Sequence, residues 1–193
     1  MKRVCVFCGS RNGTRTQYVD AAQRMGETLA RRGIGLVYGG GGIGLMGVLA
    51  DAALSAGGDV IGVIPEALVA REVAHRGPVD LRVVASMHER KAVMAELADA
   101  FVALPGGFGT LEEFSEALTW GQLGIHRKPC GLLNVEGFFD PLLSLFDHAA
   151  REQFVSPEHR ALVVVEEDAE RLLDALGHWE PPALERWMSR EEI

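Results

Sequence analysis

The chain has 193 residues, 48% hydrophobic and 24% charged, with a net charge of -8 and a pI near 5.3. That length suits one domain with a sizeable core. The acidic balance excludes nucleic acid or an anionic membrane surface as the main partner, so any anion site must be local.

Residues 4–8 read as a buried strand that ends at Gly9-Ser10, a turn suited to approach a ligand. The apolar run here is too short for a signal peptide or a membrane span, which predicts a cytoplasmic protein. Cys5 and Cys8 form a literal C-x-x-C. Three residues apart on a strand, they point to opposite faces and should not pair. All three cysteines read as small apolar residues in a reducing compartment. The six histidines show no metal-ligand spacing. His88-Glu89 begins like H-E-x-x-H, but Ala92 fills the last place. Neither a metal nor a cofactor is expected.

Residues 18–32 predict a helix, with Val19, Ala22, Met25, Gly26 and Leu29 on one stripe. Residues 34–38 form the second strand. Residues 39–47 are rich in glycine and contain G-x-G-x-x-G at Gly42, Gly44 and Gly47. This loop opens a helix to about residue 56, and residues 60–64 follow as the third strand. Glu66 then stands where a dinucleotide site would place its acidic ribose partner. Residues 65–80 read as a long irregular stretch carrying Arg71, Glu72, His75 and Arg76. Loops of that length are often functional.

Residues 81–85 make the fourth strand. Ser86-Met87-His88-Glu89 is a capping box that starts a helix to about residue 98. Arg90 falls at the centre of its apolar stripe, among Met87, Val93, Met94, Leu97 and Ala98. A cation there needs an anionic partner, either a bound phosphate or a carboxylate.

Residues 100–104 are the fifth strand, followed by Pro105-Gly106-Gly107-Phe108-Gly109-Thr110-Leu111-Glu112-Glu113. A glycine-rich turn from strand to helix aims backbone N–H groups at an anion, and the dipole helps. Thr110 adds a hydroxyl, and Glu113 stands one turn into the expected helix, residues 111–122. Thr110-x-x-Glu113 also fits a capping box, so structural and chemical readings both stand. Residues 130–134 form the sixth strand, 138–153 a helix with Phe139, Leu142, Leu143 and Phe146 inward, 162–165 a last strand, and 169–176 a short helix. The charged tail from about residue 180 reads as loose.

Strands alternating with helices predict an α/β fold: a Rossmann-like, doubly wound parallel sheet with helices on both faces. Residues 1–193 form a single domain. The loops at Gly9, Gly39–Gly47, Ser86–Lys91 and Pro105–Glu113 all follow strands and should meet on one rim.

The motifs Pro105-Gly106-Gly107-x-Gly109-Thr110-x-x-Glu113 and Met87-His88-Glu89-Arg90-Lys91 resemble the LOG family of cytokinin riboside 5′-monophosphate phosphoribohydrolases, also labelled lysine decarboxylase-like. Cys8-Gly9-Ser10, the 39–47 loop and residues 120–128 are similar too, so the likeness spans about residues 3–155. It implies cleavage of the N-glycosidic bond of a nucleoside 5′-monophosphate, with Arg90 and Glu113 as the catalytic pair. It implies nucleotide contacts at Glu72, Lys91, Gly107, Phe108, Gly109, Thr110, Leu111 and Glu112. Ser10 and Gly41, in the two earlier loops, join the expected substrate-binding set. It also implies a homodimer with sites near the interface, in keeping with the apolar groups of residues 111–125.

The residue chemistry agrees. Cleavage passes through an oxocarbenium-like ribose, which a carboxylate beside it can stabilise. The decarboxylase label fits poorly, because such enzymes generally hold pyridoxal phosphate on a lysine. Only Lys2, Lys91 and Lys128 exist here, and Lys91 reads better as a second phosphate-side cation. Two rivals remain: a nicotinamide-dependent oxidoreductase using Gly42, Gly44, Gly47 and Glu66, and a non-catalytic nucleotide or cofactor carrier.

Overall fold

Seven short apolar runs pair side by side, every neighbour parallel, in the order β4-β3-β2-β1-β5-β6-β7. The computed structural model describes residues 1–69 and 74–182. The strands are β1 Arg3–Phe7, β2 Gly35–Tyr38, β3 Val60–Pro65, β4 Asp80–Val84, β5 Ala100–Ala103, β6 Cys130–Leu133 and β7 Val163–Glu166. The central strands are buried along their length because helices cover both faces of a parallel sheet. The helices are α1 Thr16–Arg31, α2 Gly44–Ser55, α3 Glu66–Val69, α4 Met87–Leu97, α5 Phe108–Gln122, α6 Asp140–Arg151, α7 Pro157–Arg160 and α8 Ala169–Gly177.

The strand order reverses at β1, which pairs with β2 on one side and β5 on the other. Ligands of such sheets bind beyond the carboxyl ends of the strands at this switch point. The two cores confirm the doubly wound reading. Val4, Val6, Leu36 and Tyr38 pack with α1, α2 and α8 on one face. Cys5, Phe7, Val37 and Phe101 pack with α4 and α5 on the other. Cys5 and Cys8 lie in different cores, and all three cysteines are free and buried. On the first face α1 and α2 approach so closely that a Cβ on Gly26 would stand 2.4 Å from the Leu49 carbonyl oxygen.

Three local expectations change. Helix α5 begins at Phe108, with Gly107 as its N-cap, three residues earlier than the apolar periodicity suggested. Thr110 is therefore inside the first turn and Glu113 is deeper still, so the two do not form a capping box. The stretch after β3 is not wholly irregular: α3 occupies Glu66–Val69, and Ala74 bridges back to Gly41. Helix α6 starts at Asp140, after a 3-10 turn over Val135–Gly137. Among the described residues no helix is long and apolar enough to cross a membrane.

Candidate active site

Three loops are stitched together at the switch point. Gly9 N–H donates to the Pro105 carbonyl at 3.1 Å, and Leu45 N–H donates to the Gly9 carbonyl at 3.0 Å. The backbone turns leaving β1, β2 and β5 thus share one rim. An open cleft of about 460 Å³ lies beside them, lined by Ser10, Tyr18, Leu45, Gly106, Gly107 and Phe108 among others.

Helix α5 points its N-terminus at this rim. Its first-turn N–H groups have no carbonyl one turn earlier to bond, and no side chain caps them. Gly106 is glycine for a packing reason: a Cβ would fall 2.1 Å from Thr110 Oγ1 and 2.9 Å from the Gly9 nitrogen. Gly107 and Gly109 have no such reason. A Cβ on either would meet nothing within 4 Å among the described residues, and neither has a positive φ. The space they leave is open to a ligand. Phe108 stands almost fully exposed between them.

Arg90 arrives from α4, the helix leading into β5. Ser86 caps that helix, its hydroxyl accepting from Glu89 N–H at 3.1 Å, while Glu89 Oε2 accepts from Ala85 N–H at 2.7 Å. The capping box therefore holds, shifted by one residue on its return bond. The Arg90 guanidinium is buried. Nη2 donates to the Gly39 carbonyl at 3.3 Å and stands 3.6 Å from Glu113 Oε1. Nη1 lies 3.7 Å from Met87 Sδ, and buried Nε has no hydrogen-bond partner among the described residues. Both side chains of the Arg90–Glu113 pair are about nine-tenths buried. Little water screens such a pair, so each charge strongly fixes the other. Burial pushes the Cys5 thiol pKa well up, and the Glu113 charge pushes it further. The same two causes raise Cys8.

Lys91 faces elsewhere. Its Nζ lies 2.6 Å from Glu112 Oε1 and 2.9 Å from Glu116 Oε1. Burial pulls the ammonium pKa down, but the two carboxylates outweigh it and the net shift is upward. Leu111 packs into the second core, so only its backbone can face a ligand. Ser10 is exposed at the cleft and Gly41 is buried in its bridge to Ala74. Glu72 lies outside the described residues. Sequence reasoning missed Gly39, whose carbonyl holds Arg90. A Cβ there would stand 2.0 Å from Arg90 Nη2. Its only signal was a glycine directly after a strand. Glu112, expected to contact the nucleotide, instead pairs with Lys91, and its companion Glu116 was missed; the signal was two carboxylates one turn apart.

The first glycine loop is explained from within the protein. A Cβ on Gly44 would lie 2.2 Å from the Ser10 carbonyl carbon, and one on Gly47 would lie 2.5 Å from the Gly42 carbonyl oxygen. Those glycines serve chain packing, and a dinucleotide is not needed to account for them. Glu66 opens the short helix α3 and is exposed. Among the described residues no cluster of three or more His, Cys, Asp or Glu could hold a metal ion.

Residues 46–176 match a family model described as possible lysine decarboxylase. The cytokinin riboside 5′-monophosphate phosphoribohydrolase LOG of Oryza sativa subsp. japonica is 52% identical over 180 residues, covering 93% of this chain and 74% of that protein. This chain belongs to the LOG family. A cytokinin riboside 5′-monophosphate phosphoribohydrolase of Arabidopsis thaliana is also 52% identical, covering 93% of this chain and 84% of its own. Among solved structures, the LOG-family chain resembles the molybdenum cofactor binding protein of Rippkaea orientalis, with a TM-score of 0.68 and 22% identity over 92% of this chain and 96% of that one. A molybdenum cofactor carrier protein of Chlamydomonas reinhardtii gives 0.69 and 24%, over 91% and 96%. At those identities the likeness speaks for the fold alone. The decarboxylase description would call for pyridoxal phosphate on a lysine. The residues present do not fit it. Lys91 is held by two carboxylates and Lys128 donates to the Ala95 carbonyl at 2.5 Å. Lys2 precedes β1, at the end of the sheet away from the rim.

Proposed function

We propose that this chain hydrolyses the N-glycosidic bond of a cytokinin riboside 5′-monophosphate, or of adenosine monophosphate, releasing the free base and ribose 5-phosphate. One observation carries the reading. A buried Arg90–Glu113 pair includes a carboxylate of the helix whose N-terminus presents two glycines that no described contact within the chain explains. Relatives about 52% identical bear the name of this activity.

The chemistry follows from the placement. The 5′-phosphate sits at the first turn of α5, against the N–H groups around Gly107, Phe108, Gly109 and Thr110. Binding energy there positions the ribose without touching the bond to be broken. Glu113, further along the same helix, faces the ribose. As the C1′–N bond breaks, its electrons leave with the base and positive charge builds on C1′ and the ring oxygen. The Glu113 carboxylate stabilises that charge or orients the water that adds to C1′. Arg90, held by the Gly39 carbonyl, sets a positive charge beside Glu113 and keeps the carboxylate in place.

We further infer a homodimer. Phe108, Met87 and Ile43 are exposed at the starts of α5, α4 and α2, and Trp120, Leu123 and Ile125 are only half buried at the far end of α5. A second copy would cover such apolar groups. Light scattering should give twice the chain mass of 20.9 kDa; one chain mass at micromolar concentration overturns the dimer. Three buried thiols suit a reducing, cytoplasmic setting.

The deciding experiment is a panel of nucleoside monophosphates with released base followed by chromatography. Base release from isoprenoid-adenine or adenine ribotides is expected. Binding without release from every member of the panel would return the carrier reading.

A further inference from the structure

The crossover from β3 to β4 carries a nearly buried imidazole that the chemistry above does not use. Only 5% of the His75 side chain is exposed. Both ring nitrogens are engaged. Nδ1 accepts from Gly77 N–H at 3.0 Å, and Nε2 stands 3.0 Å from Asp51 Oδ1. An accepting Nδ1 carries no proton, so Nε2–H donates to the carboxylate. Asp51 belongs to α2. The backbone here reaches a different element: His75 N–H donates to the Gly40 carbonyl at 3.1 Å, and neighbouring Ala74 bridges Gly41. We propose that His75 is a positioning residue, which staples the turn leaving β2 to α2 and so holds the Gly39 carbonyl where it fixes Arg90 beside Glu113. The proposal rests on the hydrolase reading above.

Three observations support it. First, only Gly39 to Ile43 separate β2 from α2, and four of those five residues are glycine. Glycine restrains its own backbone least, so such a loop takes its shape from its partners. His75 supplies a partner at each end, Gly40 after β2 and Asp51 on α2.

Second, Arg90 depends on that loop. Its Nη2 donates to the Gly39 carbonyl at 3.3 Å and stands 3.6 Å from Glu113 Oε1, while Nε has no partner among the described residues. The bond to Gly39 is already near the long limit of hydrogen bonding, so a small shift of the carbonyl loses it.

Third, the surroundings are shaped to the ring. A Cβ on Gly77 would stand 2.7 Å from His75 Cε1 and 3.3 Å from Leu54 Cδ1 of α2. Gly40 has φ +76°, and a Cβ there would stand 3.1 Å from both Ile64 Cβ and Leu81 Cδ1. A stiffer residue therefore cannot replace Gly40, and the staple supplies the restraint that a side chain would have given.

The test compares His75→Ala, Asp51→Ala, Asp51→Asn and the double variant His75→Ala/Asp51→Ala. Asp51 is largely exposed and alanine suits a helix, so Asp51→Ala stands in should His75→Ala not fold. Turnover is base release from adenosine monophosphate. Binding is the Kd of the same nucleotide by calorimetry, with Glu113→Gln added to each chain to stop hydrolysis. Loosening is amide hydrogen exchange read by mass spectrometry. A staple predicts kcat about tenfold lower in each alanine variant, with Kd within about threefold of wild type. Exchange should quicken about tenfold over residues 39–47, with β5 unchanged. Asp51→Asn keeps an acceptor for Nε2–H and should restore both rate and protection. The double variant should be no worse than His75→Ala, since both changes remove one link. A merely structural role predicts a lower Tm with kcat unchanged at temperatures well below it. A ligand-binding role predicts Kd raised about tenfold with exchange at the wild-type rate. Either result overturns the proposal, as does wild-type exchange over residues 39–47 in every variant. Quickened exchange there, in a protein whose wild type releases no base, would sink the hydrolase reading and leave the staple in place.

Discussion

Two glycine-rich loops follow two strands of one sheet, yet their glycines do different things. In the loop after β2, a Cβ on Gly39, Gly44 or Gly47 would strike Arg90, the Ser10 backbone or the Gly42 carbonyl. These positions are glycine because the protein itself fills the space. In the loop after β5, Gly106 is crowded in the same way, but Gly107 and Gly109 face nothing within 4 Å. Their missing side chains are useful only to something that arrives later. The first loop is a scaffold that presses Arg90 into place; the second leaves open space at the start of α5, the proposed cradle. Counting glycines cannot separate the two, because G-x-G-x-x-G lies in the scaffold and not in the cradle.

The comparison can be broken most directly at the carboxylate between the two loops. Glu113→Gln should fold normally and bind adenosine monophosphate, with kcat down about a hundredfold or more. Because α5 starts at Phe108, Glu113 is no cap, so any stability lost in this variant reports the buried Arg90 contact and not a helix end. Retention of more than about a tenth of wild-type kcat would remove it from the chemistry. Next in size is the phosphate itself. Adenosine should lose most of kcat/KM relative to its 5′-monophosphate, since the cradle has nothing to hold. Equal turnover of the two would make the α5 N-terminus purely structural.

Matched glycine variants sharpen the contrast. Gly39→Ala puts a methyl 2.0 Å from Arg90 Nη2, so that guanidinium must move off Glu113. It should cost about 1–3 kcal/mol of stability, seen by denaturant titration, and about tenfold in kcat. Gly109→Ala should do the opposite to the fold. Alanine suits a helix better by about 0.5–1 kcal/mol, and the space is free. Its KM for the monophosphate should nevertheless rise severalfold, as the methyl enters the cradle. If Gly109→Ala leaves KM alone, the two loops are not different in kind.

The smallest effect on activity is expected behind α5, at His126. Its Nε2–H donates to the Ala117 carbonyl at 2.9 Å, and its Nδ1 accepts from Lys128 N–H at 3.1 Å. Burial lowers its pKa from 6.5 to about 4. The unfolded chain therefore takes up the proton first as pH falls. The stabilising contribution is present above pH 6.5 and is lost as pH drops toward 4. The loss is about 3 kcal/mol at most. His126→Gln should flatten the stability curve over that range and leave kcat at pH 7.5 nearly unchanged. An unchanged acid slope would place the titration elsewhere.

Much of this was legible in the chain. The central strands were readable because buried parallel strands are continuous apolar runs bounded by turns. Strand–helix alternation determined the sheet type and the rim on which the loops meet. The motif around Pro105–Glu113 marked the turn from β5 into α5 at the rim, since glycine and a helix start are local properties. The start of α5 was misread because periodicity begins only where side chains pack, and Gly107, Phe108 and Gly109 pack against nothing. What the tertiary structure alone decided was pairing across distance. Arg90 plainly needed an anion, but the sequence left both a phosphate and a carboxylate open. The fold brought Glu113 to it from α5 and the Gly39 carbonyl from the turn after β2. The same holds for Lys91, which stands next to Arg90 in sequence yet turns to Glu112 and Glu116. Local chemistry says what a side chain requires; only the packing of α4 against α5 determines which group satisfies it.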